Sequence, residues 1–159
     1  MHIREIEEKD NKKMEQIIKR SLESFNLNIP GTAYFDPQLS NLAQFYKQQS
    51  SAKYWVAVNE QDEAVGGVGI APYGQQEGIC ELQKLYITPE AQGMGLSKEL
   101  MKVALDFAKE YYTHCYLETT QKLQTANILY NKLGFQQLES ALDGSEHGAM
   151  DTWYIKELS

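Results

Sequence analysis

Residues 82–108 constrain the fold of this chain more than any other stretch: Leu82-Gln-Lys-Leu-Tyr-Ile-Thr-Pro-Glu-Ala-Gln-Gly-Met-Gly-Leu-Ser-Lys-Glu-Leu-Met101, continuing to Ala108. The run up to Ile87 has strand character, Pro89 stops it, and Gly93 and Gly95 turn the chain. Leu96, Leu100, Val103, Phe107 and Tyr111 then recur at helical spacing. Glycine accepts positive φ, and the first amides of a helix lack an intrahelical acceptor and carry the positive end of its dipole. A strand, glycine turn and helix in this order can hold a phosphate. The same arrangement also serves as a plain connection between elements, so the turn alone does not decide a function.

A chain of 159 residues fits a single domain, 1–159, with a sizeable core. No stretch approaches the length of a membrane span, and the start, Met1-His-Ile-Arg-Glu-Ile6, lacks the apolar segment of a signal peptide. A soluble, cytoplasmic protein is expected. The formal charge of -7 opposes binding to nucleic acid or an anionic membrane, both of which reward clustered Lys and Arg. It is compatible with a cationic substrate, although the acidic residues are dispersed and also serve solubility. Cys80 and Cys115 fall in strand-like runs, where a buried free thiol is the ordinary reading. The His and Cys residues are too scattered for a zinc site, and no metal is expected.

The hydrophobic pattern predicts the order β-α-α-β-β-β-α-β-α-β-β. Residues 2–6 alternate like an edge strand; Met14, Ile17, Ile18, Leu22 and Phe25 mark one face of a first helix, with Asp10 or Asn11 as its cap. A loop over 28–37 carries Tyr34 and Phe35, which either line an acceptor pocket or close the core. A second helix is expected over 37–49. Strands at 53–58, 64–70 and 78–87 form a meander, and the glycines at 66, 67 and 69 signal a bulge or a close approach to the sheet. After the glycine turn and its helix come a strand at 114–119, a helix at 121–133, and strands at 135–138 and 150–155. This is an α/β (α+β) domain with a mixed, largely antiparallel central sheet and helices on both faces.

Gln92-Gly93-Met94-Gly95-Leu96-Ser97 resembles the Gln/Arg-x-x-Gly-x-Gly/Ala pyrophosphate loop of the GCN5-related N-acetyltransferase (GNAT) family, departing from it at Ser97. Leu117-Glu-Thr-Thr120 is similar to the family strand that splays to admit a pantetheine arm. The segment from Ala126 to Phe135, Ala-Asn-Ile-Leu-Tyr-Asn-Lys-Leu-Gly-Phe, is similar to the family's Ala-x-x-x-Tyr-x-x-x-Gly-Phe. The three motifs stand in the family's order and cover about 79–138. The N-terminal half resembles the family only in its pattern of elements.

The resemblance implies acetyl transfer from acetyl-CoA to an amine, by direct attack in a ternary complex. Backbone groups around Leu85, Tyr86 and Ile87 would hold the pantetheine, the amides from Gln92 to Ser97 the pyrophosphate, and Asn127 a further part of the cofactor. Tyr130 falls at the family's tyrosine and would protonate the leaving thiolate. For the base, Glu81 is favoured, because a carboxylate on a central strand is costly without a task or partner. An ion pair with Lys84 or an outward position is the structural alternative. His147 is the second candidate base, a chain of waters the third. Glu118 and Asp151 are weaker catalytic candidates, Glu118 also a substrate contact alongside Tyr34 and Phe35. His114 reads as an edge-of-strand residue.

A primary amine of a small molecule (amine, polyamine or amino acid) is the expected acceptor, since no peptide-reading motif is present. Acetylation of a protein or peptide amine and a non-catalytic CoA-binding sensor are the alternatives. A homodimer is common in the family, but no residue pattern marks an interface.

Overall fold

The computed structural model describes residues 1–74 and 76–159. Its central feature is a seven-stranded sheet: β1 (His2–Glu5), β2 (Lys53–Val58), β3 (Ala64–Pro72), β4 (Ile79–Ile87), β5 (His114–Thr119), β6 (Gln136–Leu138) and β7 (Thr152–Glu157). The strands lie in the order β1-β2-β3-β4-β5-β7-β6. All neighbours are antiparallel except β4 and β5, which are parallel because the glycine turn and α3 (Leu96–Tyr111) carry the chain back across the sheet. On one face, α3 and α4 (Gln124–Lys132) enclose a core that includes Val68, Ile70, Leu82, Leu100, Met101 and Leu117. On the other, α1 (Asn11–Ser24) and α2 (Leu42–Lys47) cover Met14, Ile18, Leu22, Tyr46, Tyr54 and Val56.

Several boundaries differ from the sequence expectation for local reasons. Asp10 does not cap α1; its carboxylate accepts from the Arg4 guanidinium at 2.8 and 3.0 Å, while Asn11 Oδ1 takes the Ala43 amide at 2.9 Å. Phe25 is not on the buried face. Asn26, at φ 58°, ends α1, with Leu27 N donating to Leu22 O at 2.7 Å and Asn26 N to Glu23 O at 3.0 Å. That left-handed closure turns Leu27 into the core and Phe25 outward. The second helix is a 3₁₀ turn over Pro37–Asn41 followed by the short α2.

The glycines of β3 answer to the side chains opposite them. A Cβ on Gly67 would stand 2.8 Å from the Trp55 carbonyl and collide with Tyr54 Cε1, and one on Gly69 would meet the Tyr46 hydroxyl at 2.6 Å. Both tyrosines are pressed flat to the sheet there. Their hydroxyls reach β4: Tyr54 donates to Lys84 O at 2.7 Å and Tyr46 to Gln83 Oε1 at 2.6 Å. Opposite, Gly67 pairs with Tyr86 but Gly69 with Gln83, so β4 carries an extra residue, and Lys84 sits at φ 51°. This is a β-bulge. It shifts the alternation by one, so that Leu85 and Ile87 join Cys80 and Leu82 in the α3 core, leaving Glu81 and Gln83 for the opposite face. Gly67→Ala should therefore destabilise the fold by about 1–3 kcal/mol, read as a lower urea midpoint. A midpoint unchanged within error would show that Tyr54 can move aside.

Candidate active site

Pairing between β4 and β5 covers three positions, Ile79↔His114, Cys80↔Cys115 and Glu81↔Tyr116, and stops. Both cysteines are buried free thiols. Beyond Glu81 the bulge and strand twist carry the two strands apart, opening a cavity of about 80 Å³. Leu82, Leu85, Ala126 and Tyr130 line its α4 side, and Leu22, Leu27, Thr32 and Met150 its α1 side. Glu81, Gln83, Lys84, Glu118 and His147 supply the polar wall. The cavity thus joins the two faces of the sheet through the gap between β4 and β5.

Burial raises the Glu81 carboxyl to a pKa of about 7, and the charge of Glu118 adds to the effect. The Gln83 amide opposes it, donating to Glu81 Oε1 at 2.7 Å. Since Gln83 Oε1 is itself held by Tyr46, the glycine at 69 indirectly fixes the orientation of Glu81. The ion pair of Glu81 with Lys84 weighed from the sequence does not form. Lys84 Nζ instead meets Asp36 Oδ2 at 2.8 Å, its side chain 4% exposed.

Asp36 also takes His147 Nε2, at 3.0 and 3.2 Å. Burial works against ionisation of Asp36, but the His147 hydrogen bond and the Lys84 charge outweigh it and hold this carboxyl below its ordinary value. Reciprocally, Asp36 raises His147 above its ordinary value, against burial. The Asp36–His147 pair and the Ala149 amide on Gly31 O at 3.1 Å clasp the 28–37 and 139–151 loops over the α1 side of the cavity.

Tyr130 is 6% exposed, its ring packed between Phe135 and Tyr154 with centroids 5.8 and 5.6 Å away. Burial pushes its phenol well above the usual range, so it stays protonated at neutral pH and is fit to donate. Asn127, one turn earlier, is engaged inside the protein. Its Nδ2 donates to the Thr120 and Leu123 carbonyls at 3.0 and 2.9 Å, and its Oδ1 accepts from the Tyr154 hydroxyl at 2.8 Å. It fixes the β5–α4 connection. Asp151 does similar work, taking the Gln121 amide at 3.1 Å.

In the glycine turn, Gly93 and Gly95 adopt φ 81° and 78° with open space where a Cβ would stand, so the backbone angle alone requires glycine there. Met94 is 56% exposed and Leu96 buried; Leu96 starts α3, leaving its amide and that of Ser97 without intrahelical acceptors. Gln92 turns inward, donating from Nε2 to Ile87 O at 3.2 Å. Leu85, Tyr86 and Ile87 lie on β4 past its pairing with β5. An unpaired strand edge leading to a left-handed glycine turn fits an extended amide-bearing arm ending in a pyrophosphate.

Tyr34 and Phe35 do not line the cavity. The Tyr34 hydroxyl donates to Glu23 at 2.6 Å and Phe35 is 60% exposed; from the same loop Thr32 and Ala33 line the cavity instead, and Asp36 bonds Lys84 and His147 of its wall. Asp36 and Gln83 carry no expectation from the sequence, Lys84 only that of a partner for Glu81, and Tyr46 only that of a core residue. One signal was present: apolar residues at 80 and 82 resume at 85 and 87, a slip of one in the alternation that marks a bulge near Lys84. Asp36 carries no local signal, because its partners lie 48 and 111 residues away.

The sheet is thus split between β4 and β5, with a left-handed glycine turn at the mouth of the gap. Residues 14–135 match the acetyltransferase (GNAT) family. Over 152 residues the chain is 40% identical to the uncharacterized N-acetyltransferase YjgM of Escherichia coli K12, covering 94% of this chain and 90% of that one. Among solved structures, a GNAT-family acetyltransferase from Staphylococcus aureus Mu50 superposes with a TM-score of 0.85 at 22% identity, covering 99% of both chains. The Sinorhizobium meliloti phosphinothricin acetyltransferase, solved in complex with AcCoA, gives a TM-score of 0.75 at 17% identity over 99% of this chain and 88% of that one. The chain belongs to the GNAT family of N-acetyltransferases and is an acetyl-transferring enzyme. Among the described residues no helix is long and apolar enough to cross a membrane, and no group of three or more His, Cys, Asp and Glu is placed to hold a metal ion.

Proposed function

We propose that this chain moves an acetyl group from acetyl-CoA to the primary amine of a small molecule, by direct attack while both substrates are bound. The observation that carries the reading is the cavity through the gap between β4 and β5, with Glu81 on one face of the sheet and Tyr130 on the other. Acetyl-CoA supplies the activated thioester. The β4 edge from Leu85 to Ile87 and the amides from Gln92 to Ser97 hold its arm and pyrophosphate. Glu81 takes the proton of the attacking amine, and Tyr130 donates to the departing thiolate.

The difficult part is the amine. With a pKa of about 10.4 only about one molecule in 2,500 is neutral at pH 7, a penalty of roughly 4–5 kcal/mol. Holding amine and thioester in register contributes about 7–11 kcal/mol in favourable cases, and a base near pKa 7 removes the remaining proton. The clasped loops roof the cavity, which supports a small acceptor over a polypeptide lying across the site. Isothermal calorimetry with acetyl-CoA should show saturable binding in the micromolar range; no heat at millimolar cofactor would sink the reading.

A further inference from the structure

We propose that Glu118 sets the acceptor class of this enzyme, receiving the protonated ammonium of an alkyl amine that bears no carboxylate beside it. The inference rests on the acetyltransferase reading above and narrows it.

Glu118 lies two residues beyond Tyr116, the β5 partner of Glu81, and so shares the face on which Glu81 stands. It lines the cavity where the strands have parted. Its carboxylate is oriented: Oε2 accepts from the Tyr116 hydroxyl at 2.8 Å. Tyr116 is fixed in turn, accepting the Leu142 amide at 3.1 Å and packing on Tyr73 at 4.7 Å between centroids. Oε1 of Glu118 is buried and has no hydrogen-bond partner among the described residues. A buried carboxylate oxygen without a donor is costly, and a ligand that donates to it recovers that cost.

The local charges specify the donor. Lys84 Nζ and His147 Nε2, the basic groups of the cavity wall, both meet Asp36, and neither bonds Glu118. An ammonium supplies the positive charge that Glu118 lacks, whereas a carboxylate next to the amine would be repelled by both glutamates. Once the ammonium is seated, one proton passes from its nitrogen to a Glu81 oxygen. The electrons of that N–H bond remain on nitrogen as the attacking lone pair.

The test compares the wild-type protein with Glu118→Gln, using butylamine, putrescine and alanine as acceptors. Wild type should acetylate the two alkyl amines in preference to alanine. Glu118→Gln should raise KM for butylamine about 10- to 100-fold, the range of a charge-assisted hydrogen bond, with KM for acetyl-CoA unchanged. Glu118→Asp should restore part of the loss. Removing the Glu118 charge also eases ionisation of Glu81, so the acidic limb of the rate profile should move to lower pH. The other groups acting on Glu81, Gln83, His147 and Lys84, and the neighbouring Tyr46, Tyr73 and Cys115, remain in place. If Glu118→Gln does not fold, Tyr116→Phe, which frees Oε2, should still raise the amine KM several-fold.

An unchanged butylamine KM in every folded variant overturns the inference, as does a wild-type protein that prefers alanine. If acetyl-CoA is bound but no alkyl amine is acetylated, this inference alone falls. If acetyl-CoA is not bound either, the acetyltransferase reading falls with it.

Discussion

Glu81→Gln should lower kcat/KM for the amine by about 10²- to 10⁴-fold and abolish the acidic limb that wild type shows near pH 7. The limb follows from the raised carboxyl: below pH 7 Glu81 is protonated and cannot accept the amine's proton, and above it the base is available. The same shift makes a stability prediction of opposite sign. An acid whose folded pKa lies above its ordinary value of 4.5 binds its proton more tightly in the folded state. Wild-type stability should therefore fall as pH rises from about 4.5 to about 7, by up to about 3 kcal/mol. The amide cannot ionise, so Glu81→Gln should hold its stability across that window. Denaturant unfolding at pH 5 and pH 8, alongside rate profiles, checks both effects together. A variant that loses activity because it is misfolded would lose stability at both pH values, and an acidic limb surviving in Glu81→Gln would assign the base elsewhere.

Tyr130→Phe should lower kcat by about 10- to 10³-fold while acetyl-CoA affinity stays within about threefold of wild type. The ring is what packs against Phe135 and Tyr154, and phenylalanine keeps it. Only the donor is lost, and donation matters as negative charge grows on sulfur, so the loss appears in kcat rather than in binding. Thioester donors with different leaving thiols offer a sharper version. An acyl thioester with a more acidic leaving thiol needs less help, and the gap between wild type and variant should shrink with it. Turnover unchanged by the substitution would remove Tyr130 as the donor.

The glycine turn and the elements around it were legible because their determinants are local. The turn from Gln92 to Ser97 needs two glycines at positive φ and a helix behind them, and these lie within one short run of sequence. The helical pattern of α3, the meander from β2 to β4 and the alternation of β5 are likewise written in neighbouring residues. Boundaries failed where capping chemistry intervened. Asn26 closes α1 through its own left-handed angle, and Asp10 prefers Arg4 to a helix amide.

The acceptor side was barely legible. Tyr34 and Phe35 were reasonable choices for a loop near the site, yet Asp36 beside them is the residue that reaches Lys84 and His147. Nothing in the sequence around Asp36 distinguishes it from any other loop carboxylate.

By itself the sequence determined the order of the elements and the glycine turn, while the family resemblance implied the donor and proposed Tyr130 and Glu81 as acid and base. Periodicity and positive-φ glycines act over a few residues, and these features need no more. Only the tertiary structure decided where β4 and β5 separate, how Tyr46 and Tyr54 lie on glycines 67 and 69 to hold the bulge, and which charges meet in the cavity. Those depend on contacts between residues far apart in the chain, where desolvation and the arrangement of partners, rather than residue type, set whether a carboxylate is an ion pair, a buried acid raised to about 7 or an oriented oxygen without a partner among the described residues.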